Sequence, residues 1–150
     1  MKDTLSAKKW IALFLALSVL LLSALAGIAY AVDPYFQYRI KDNAYFISAP
    51  YVNAGLIKHH DYDTLIVGSC MIGNFDMDQF REELNQNPVK IENGAMSPYA
   101  IATFLNYGAK VGKASHYYVS IDITSFQSQG GVENEYLMKD SPLSTAKYLL

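Results

Sequence analysis

The 150-residue sequence contains a single cysteine, Cys70, and only three histidines. One cysteine cannot form an intramolecular disulfide, so the fold depends on packing. The histidines and carboxylates show no metal-ligand spacing, and no lysine stands where a glycine-rich phosphate loop needs one. The formal net charge is −2, which leaves no basic surface for nucleic acid. We therefore predict no metal, no cofactor and no nucleic-acid partner.

Apolar residues are abundant, and many of them form one block near the N-terminus. The run from Trp10 to Val32 carries no charged side chain. A helix over this run is about 34 Å long, enough to cross a hydrocarbon core of about 30 Å. We predict a transmembrane anchor at residues 10–32, and hence a single-pass protein whose first partner is the lipid bilayer.

The flanks of the apolar run predict its orientation. Three lysines and one aspartate precede it, and the first basic residue after it is Arg39. The positive-inside rule places residues 1–9 in the cytoplasm and residues 33–150 outside the cell membrane. A cleaved signal peptide is the alternative, because residues 29–31 read Ala-Tyr-Ala. The run is longer than the about 7–15 residues of a signal-peptide core, which favours an uncleaved anchor.

An α/β pattern begins at Asp61. Buried strands are indicated at residues 64–67, 89–91 and 117–123. Between them, Asp76 is a helix N-cap, and Ser97 is an N-cap followed by proline at the first helical position. The order βαβαβ predicts a parallel sheet with right-handed crossovers.

The other segments complete the predicted organisation. Residues 33–60 mix aromatic side chains with prolines and are interpreted as a juxtamembrane connector with one short helix around residues 52–59. Residues 61–150 are predicted to form a partial α/β domain, since three parallel strands leave one edge and part of a face open. Ser144 and Thr145 are expected to cap a last helix.

Ligand sites in open parallel sheets lie beyond the carboxyl ends of the strands. This rule selects Ser69 and Cys70 after the first strand, Gly94 and Ala95 after the second, and the residues after Ile123. Backbone N–H groups on a tight strand-to-helix loop can lower the pKa of a thiol or bind an oxyanion. A lone cysteine is more often a small buried residue that fills a turn than a nucleophile. Both interpretations of Cys70 stay open.

The run YDTLIVGSCMIGNF at residues 62–75 resembles the first block of SGNH-type (GDSL-like) hydrolases, in a branch of membrane-anchored bacterial envelope proteins. It is more distantly similar to proteins of lipoteichoic acid D-alanylation. The resemblance covers residues 33–150 and implies an N-terminal anchor followed by an outer, flavodoxin-like domain. It also implies an acyl-ester hydrolase or acyltransferase that acts on cell-envelope material, such as an acylated glycopolymer or a lipid-linked substrate.

The same resemblance assigns roles to individual residues. Cys70 stands at the family's nucleophile position, with Ser69 as the second candidate. Gly94 matches the glycine whose N–H binds the oxyanion, and Asn74 is a further candidate donor. The family's third-block asparagine has no match, because Asp122 stands near that place and a carboxylate repels an oxyanion. The family's Asp-x-x-His motif is absent from these residues.

The three histidines do not replace the missing base. His59 and His60 precede the first strand and His116 precedes the third, so all three are expected near the amino edge of the sheet. A five-residue strand separates that edge from Cys70 by about 16 Å, whereas proton transfer needs about 3 Å. The alternative function is therefore a non-catalytic anchored module with an interaction or structural role at the cell surface.

Overall fold

The computed structural model describes residues 7–40, 49–127, 130–132, 134–139 and 141–149. The helices are α1 (Ala7–Val32), α2 (Ala49–His59), α3 (Met77–Leu84), α4 (Pro98–Val111), α5 (Ile123–Gln127) and α6 (Pro142–Leu149). The strands are β1 (Thr64–Ser69), β2 (Pro88–Asn93) and β3 (His116–Ser120), and 3-10 turns lie at Cys70–Asn74 and Glu135–Met138. The chain divides into two compact units: one contains α1 and α6, and the other is Asp33–Asp140.

Within the described residues, α1 is the one helix long and apolar enough to cross a membrane. It has 26 residues, none of them buried, and it contains the whole predicted anchor at residues 10–32. Trp10 lies near its N-terminal end, where interfacial aromatic residues are common. The predicted helix is confirmed. Lys2 and Asp3, which contribute to the predicted orientation, lie outside the described residues.

The Asp33–Asp140 unit is built on a parallel sheet of three strands in the order β2-β1-β3. The central strand β1 is buried over its whole length. Its first residue, Thr64, pairs with Pro88 on one side and His116 on the other. This arrangement confirms the predicted α/β class and the order βαβαβ. It places all three amino ends at one edge of the sheet and all three carboxyl ends at the opposite edge.

The two crossover helices α3 and α4 lie on opposite faces of the sheet. On α3, the Phe80 ring meets Tyr118 edge-on at 5.3 Å between centroids. On α4, a Cβ added at Gly108 would come within 3.9 Å of the Tyr117 ring. Consecutive residues of a strand point to opposite faces, so the contact of α4 with Tyr117 and that of α3 with Tyr118 lie on opposite faces of the sheet. Each crossover therefore covers one side of β1.

The predicted helix starts are confirmed in detail. The Asp76 side chain accepts a hydrogen bond from the N–H of Asp78 at 2.9 Å, and the Ser97 hydroxyl accepts one from Ala100 at 3.2 Å. Pro98 follows Ser97 as the first residue of α4. The N–H of a first helical residue has no partner within its helix, so a proline there loses no hydrogen bond. The helix ends at Val111 and is capped by Gly112, whose φ of 75° is easily reached only without a side chain.

Two predicted boundaries are wrong. The third strand does not extend to Ile123; it ends at Ser120, because Asp122 turns the chain by accepting a hydrogen bond from the N–H of Ser125 at 3.0 Å. The last helix starts at Pro142, before the predicted Ser144 cap. The residue that caps its first turn is Ser141, whose hydroxyl accepts a hydrogen bond from the N–H of Ser144 at 3.1 Å.

Helix α2 confirms the short helix predicted around residues 52–59 and packs on the sheet. Val52 and Ile57 are buried in the domain core. The side-chain amide of Asn53, itself buried, donates to the carbonyl oxygen of Glu92 on β2 at 2.9 Å. The segment that looks like a connector in sequence therefore contributes to the core of the Asp33–Asp140 unit.

A turn formed by residues 33–39, the Asp33 turn, precedes α2. The buried Asp33 carboxylate accepts backbone hydrogen bonds from Gln37 at 2.8 Å, Tyr38 at 3.0 Å and Arg39 at 3.1 Å. The turn packs against α2 at Gly55, where an added Cβ would lie 2.8 Å from the Phe36 carbonyl carbon. The close approach of these two backbones requires glycine at this position.

Candidate functional site

The site candidates gather at the carboxyl edge of the sheet. β1 ends at Ser69, which pairs with Asn93 at the end of β2. Cys70 and Gly94 follow these two residues directly, and the Cys70 N–H donates to the carbonyl oxygen of Gly94 at 3.2 Å. Asp122, beyond the end of β3, reaches the same edge through its contact with Ser69. The cluster therefore lies where open parallel sheets bind ligands, beyond the carboxyl ends of the strands.

Ser69 is buried and bonded on two sides. Its hydroxyl donates to the Asp122 carboxylate in a short hydrogen bond and accepts from the N–H of Met71 at 3.3 Å. The second bond caps the 3-10 turn that begins at Cys70. Only 1% of Ser69 is exposed. Its side chain thus holds the turn in place and joins β1 to the chain after β3.

Asp122 contributes a negative charge to this edge of the sheet. Hydrogen bonds from the Ser69 and Thr124 hydroxyls, together with the N–H of Ser125, lower the pKa of Asp122 to about 2. The carboxylate is therefore ionised at neutral pH and is a weak base. Its negative charge opposes an oxyanion at this edge, as expected where the family pattern has an asparagine.

Cys70 is exposed and begins the 3-10 turn. The interpretation of this residue as a buried filler is therefore wrong. The turn is tight because Gly68, just before it, has no side chain: an added Cβ would lie 2.8 Å from both Ile72 Cγ2 and Ser120 Cβ. A thiol in this position faces solvent beyond the end of the central strand.

The oxyanion candidates are already bonded within the protein. The Gly94 N–H donates to the Asn93 side-chain oxygen at 2.8 Å, and the Cys70 N–H is taken by the Gly94 carbonyl. Asn74 is exposed at the end of the 3-10 turn. An oxyanion bound by either backbone group would have to displace one of these internal hydrogen bonds.

None of the three histidines reaches Cys70 as a base along the sheet. His116 pairs with Thr64, at the opposite end of β1 from Ser69, a separation of about 16 Å. His59 ends α2 and contacts the carbonyl oxygen of Gln37 through Nε2 at 2.7 Å. His60 follows directly, and burial lowers its pKa. Among the described residues, no three His, Cys, Asp or Glu side chains form a possible metal site.

The Ser69–Asp122 hydrogen bond is the feature that sequence reasoning missed. The two residues are 53 positions apart, and the family resemblance gives Asp122 only the place of an asparagine. A signal was present, since Ser69 ends β1 and Asp122 comes just after β3, and parallel strands have their carboxyl ends at one edge. The misplaced end of β3 hid this signal.

No family model, curated protein or solved structure matches this chain. The SGNH-type resemblance therefore stays a prediction. What the structure establishes is a mixed α/β architecture with a three-stranded parallel sheet, together with one long apolar helix near the N-terminus.

Proposed function

We propose that this chain is a membrane-anchored, extracytoplasmic acyltransferase or acyl-ester hydrolase of SGNH type, with Cys70 as its acyl-accepting nucleophile. The observation that carries the proposal is the exposed thiol at the carboxyl end of the central strand. The 3-10 turn beneath it is held by the Ser69 hydroxyl. Acylated glycopolymers or lipid-linked acyl donors of the cell envelope are the proposed substrates.

The chemistry follows from the change of serine to cysteine. A Cys70 thiolate attacks the acyl carbonyl, a C–S bond forms, the C–O bond to the donor alcohol breaks, and the alkoxide takes a proton from water. Among protein nucleophiles, cysteine depends least on a neighbouring base, because sulfur is intrinsically very nucleophilic. Attack by water on the thioester still needs a base, and none of the histidines is placed to supply one. The acyl-enzyme should accumulate.

The test is acylation of the full chain, solubilised in detergent, by p-nitrophenyl acetate. Intact-mass measurement should show one acetyl group, located on Cys70 by peptide mapping, and slow release. The matched variant Cys70→Ser should be acylated roughly 100-fold more slowly, because a serine without a base is a weak nucleophile. Acetylation confined to lysines, or acylation of Cys70 only after unfolding in urea, would contradict the proposal.

A second candidate function is a non-catalytic anchored module. The observations that favour it are the internal hydrogen bonds of the Gly94 and Cys70 N–H groups and the ionised Asp122 at the same edge. Both features oppose binding of an oxyanion. An accessible Cys70 that reacts with iodoacetamide but is not acylated by the ester would favour this module over the enzyme.

The proposed topology has its own test. We expect membranes washed with carbonate to retain the full-length chain, because α1 spans the bilayer. Protease added to intact spheroplasts should digest residues 33–150, since the lysines before Trp10 hold the N-terminus inside. A soluble, secreted form that starts near Val32 would instead show cleavage after Ala31, and protection of residues 33–150 would show the opposite orientation.

A further inference from the structure

Asn93 and Gly94 form the one Asn-Gly pair in the sequence. They lie at the carboxyl end of β2, where Asn93 pairs with Ser69. The Gly94 carbonyl oxygen accepts a hydrogen bond from the Cys70 N–H at 3.2 Å. Asparagine is chemically labile, and a following glycine favours its reaction, because no side chain hinders the approach of the glycine nitrogen. A reaction at this pair would act on the turn that begins at Cys70.

The two groups that would react are already in contact. The Gly94 N–H donates to Asn93 Oδ1 at 2.8 Å, and because Oδ1 is bonded to Cγ, this contact holds the Gly94 nitrogen beside the carbon it would attack. Groups held in contact need little further motion to react. Gly94 is exposed, and an added Cβ would meet no heavy atom within 4 Å, so a ring has room to form. Within the described part of the chain, the leaving group, Asn93 Nδ2, donates no hydrogen bond.

Two asparagines just before β2 show how the local structure can prevent the same reaction. Asn85 is followed by Gln86, whose N–H donates to the Phe80 carbonyl oxygen at 3.1 Å where α3 ends. That nitrogen is therefore bonded away from the asparagine side chain. Asn87 is followed by Pro88, and a proline nitrogen has no proton to lose. At Asn93, in contrast, the next nitrogen carries a proton and contacts the asparagine side chain itself.

We propose that Asn93 deamidates spontaneously in the folded protein. The Gly94 nitrogen gives its proton to solvent and bonds to Asn93 Cγ, the Cγ–Nδ2 bond breaks, and Nδ2 takes a proton from solvent and leaves as ammonia. The product is a succinimide ring. Water then adds to one of the two ring carbonyl carbons and opens the ring at the nitrogen, which leaves either aspartate or isoaspartate at position 93. Water is the co-reactant, and the proposal does not depend on any acyl transfer at Cys70.

The two products change the carboxyl edge in different ways. Aspartate leaves the backbone as it is and adds a negative charge to the edge that already carries the ionised Asp122, which further opposes the binding of an anion there. Isoaspartate continues the chain through the side-chain carbon, so it lengthens the backbone at the residue that pairs with Ser69. The Gly94 carbonyl oxygen would then move away from the Cys70 N–H, and the turn that begins at Cys70 would lose this contact with β2.

The test is incubation of the detergent-solubilised full chain at mildly alkaline pH, followed by peptide mapping. Asn93 should lose ammonia, and both aspartate and isoaspartate should appear, because opening of a succinimide gives both whereas direct hydrolysis of the side chain gives aspartate alone. The matched variant is Gly94→Ala, whose Cβ fits the fold without contact. It should deamidate roughly tenfold more slowly, because the alanine side chain restricts the backbone motion that closes the ring.

Hydrogen exchange measures the effect on the turn. The Cys70 amide should exchange roughly tenfold faster in the isoaspartate form, because its acceptor has moved, and at the wild-type rate in Asn93→Asp, which keeps the backbone unchanged. Deamidation of Asn93 only after unfolding in urea would overturn the proposal, by showing that the folded strand keeps the two groups from reacting. Equal rates for the wild type and Gly94→Ala, or formation of aspartate alone, would overturn it as well. Unchanged exchange at Cys70 in the isoaspartate form would contradict the proposed effect on the turn.

Discussion

Replacing Gly55 with alanine is expected to lower the free energy of unfolding by about 3 kcal/mol, the upper end of the range for overpacking. An alanine Cβ at this position would lie 2.5 Å from the Phe36 carbonyl oxygen and 2.8 Å from its carbon, and it would also collide with the Tyr35 oxygen. All three atoms belong to the backbone, so no rotation of a side chain relieves the collision. Helix α2 and the Asp33 turn would have to separate.

Pulse proteolysis in urea, applied to the detergent-solubilised full chain, measures this loss as a lower midpoint of unfolding. Gly94→Ala is the matched control, because a Cβ at Gly94 has no heavy atom within 4 Å. The control should unfold at nearly the wild-type midpoint. Equal midpoints for Gly55→Ala and Gly94→Ala would show that α2 does not pack against the turn as described.

Replacing Asp33 with alanine is expected to cost about 3 kcal/mol as well. The carboxylate is 1% exposed and accepts three backbone hydrogen bonds from residues 37–39. Its removal leaves those N–H groups without their acceptor. Asp33 also has a φ of 44°, a conformation that alanine adopts less readily than aspartate or asparagine.

Asp33→Asn separates these two causes. Asparagine tolerates the same backbone conformation and keeps one acceptor oxygen, so its unfolding midpoint should fall between those of the wild type and Asp33→Ala. Hydrogen exchange at the amides of residues 37–39 should rise in the same order. If the asparagine and alanine variants exchange at the wild-type rate, the carboxylate does not hold the turn.

The prediction was most accurate where a pattern is local in the chain. The uncharged run from Trp10 to Val32 predicts a helix that could span a membrane, because length and composition alone set that property. Asp76 and Ser97 mark the starts of α3 and α4, since a capping side chain bonds to an N–H two or three residues away. The alternation of these helices with apolar runs predicts the parallel sheet.

The position of the candidate site also follows from sequence, through the rule for carboxyl edges, whereas its hydrogen bonding does not. The Gly94 N–H is bonded to the side-chain oxygen of Asn93, the residue just before it, rather than left open for an oxyanion. Likewise, the exposure of Cys70 depends on how its turn is held by Ser69. The Cys70 N–H, in contrast, is bonded by the carbonyl oxygen of Gly94 on the neighbouring strand's loop, a partner that only the folded sheet brings close.

The sequence by itself determined the apolar helix near the N-terminus, the βαβαβ order and the edge at which Ser69 and Cys70 lie. The tertiary structure decided where β3 ends, because Asp122 bonds to Ser69, 53 residues away, and to the start of α5. It also decided that Phe36 and the residues of α2, in the segment interpreted from sequence as a connector, contribute to the domain core. Helix and strand patterns record contacts between near neighbours, whereas these outcomes depend on which distant backbone and carboxylate groups meet when the chain packs.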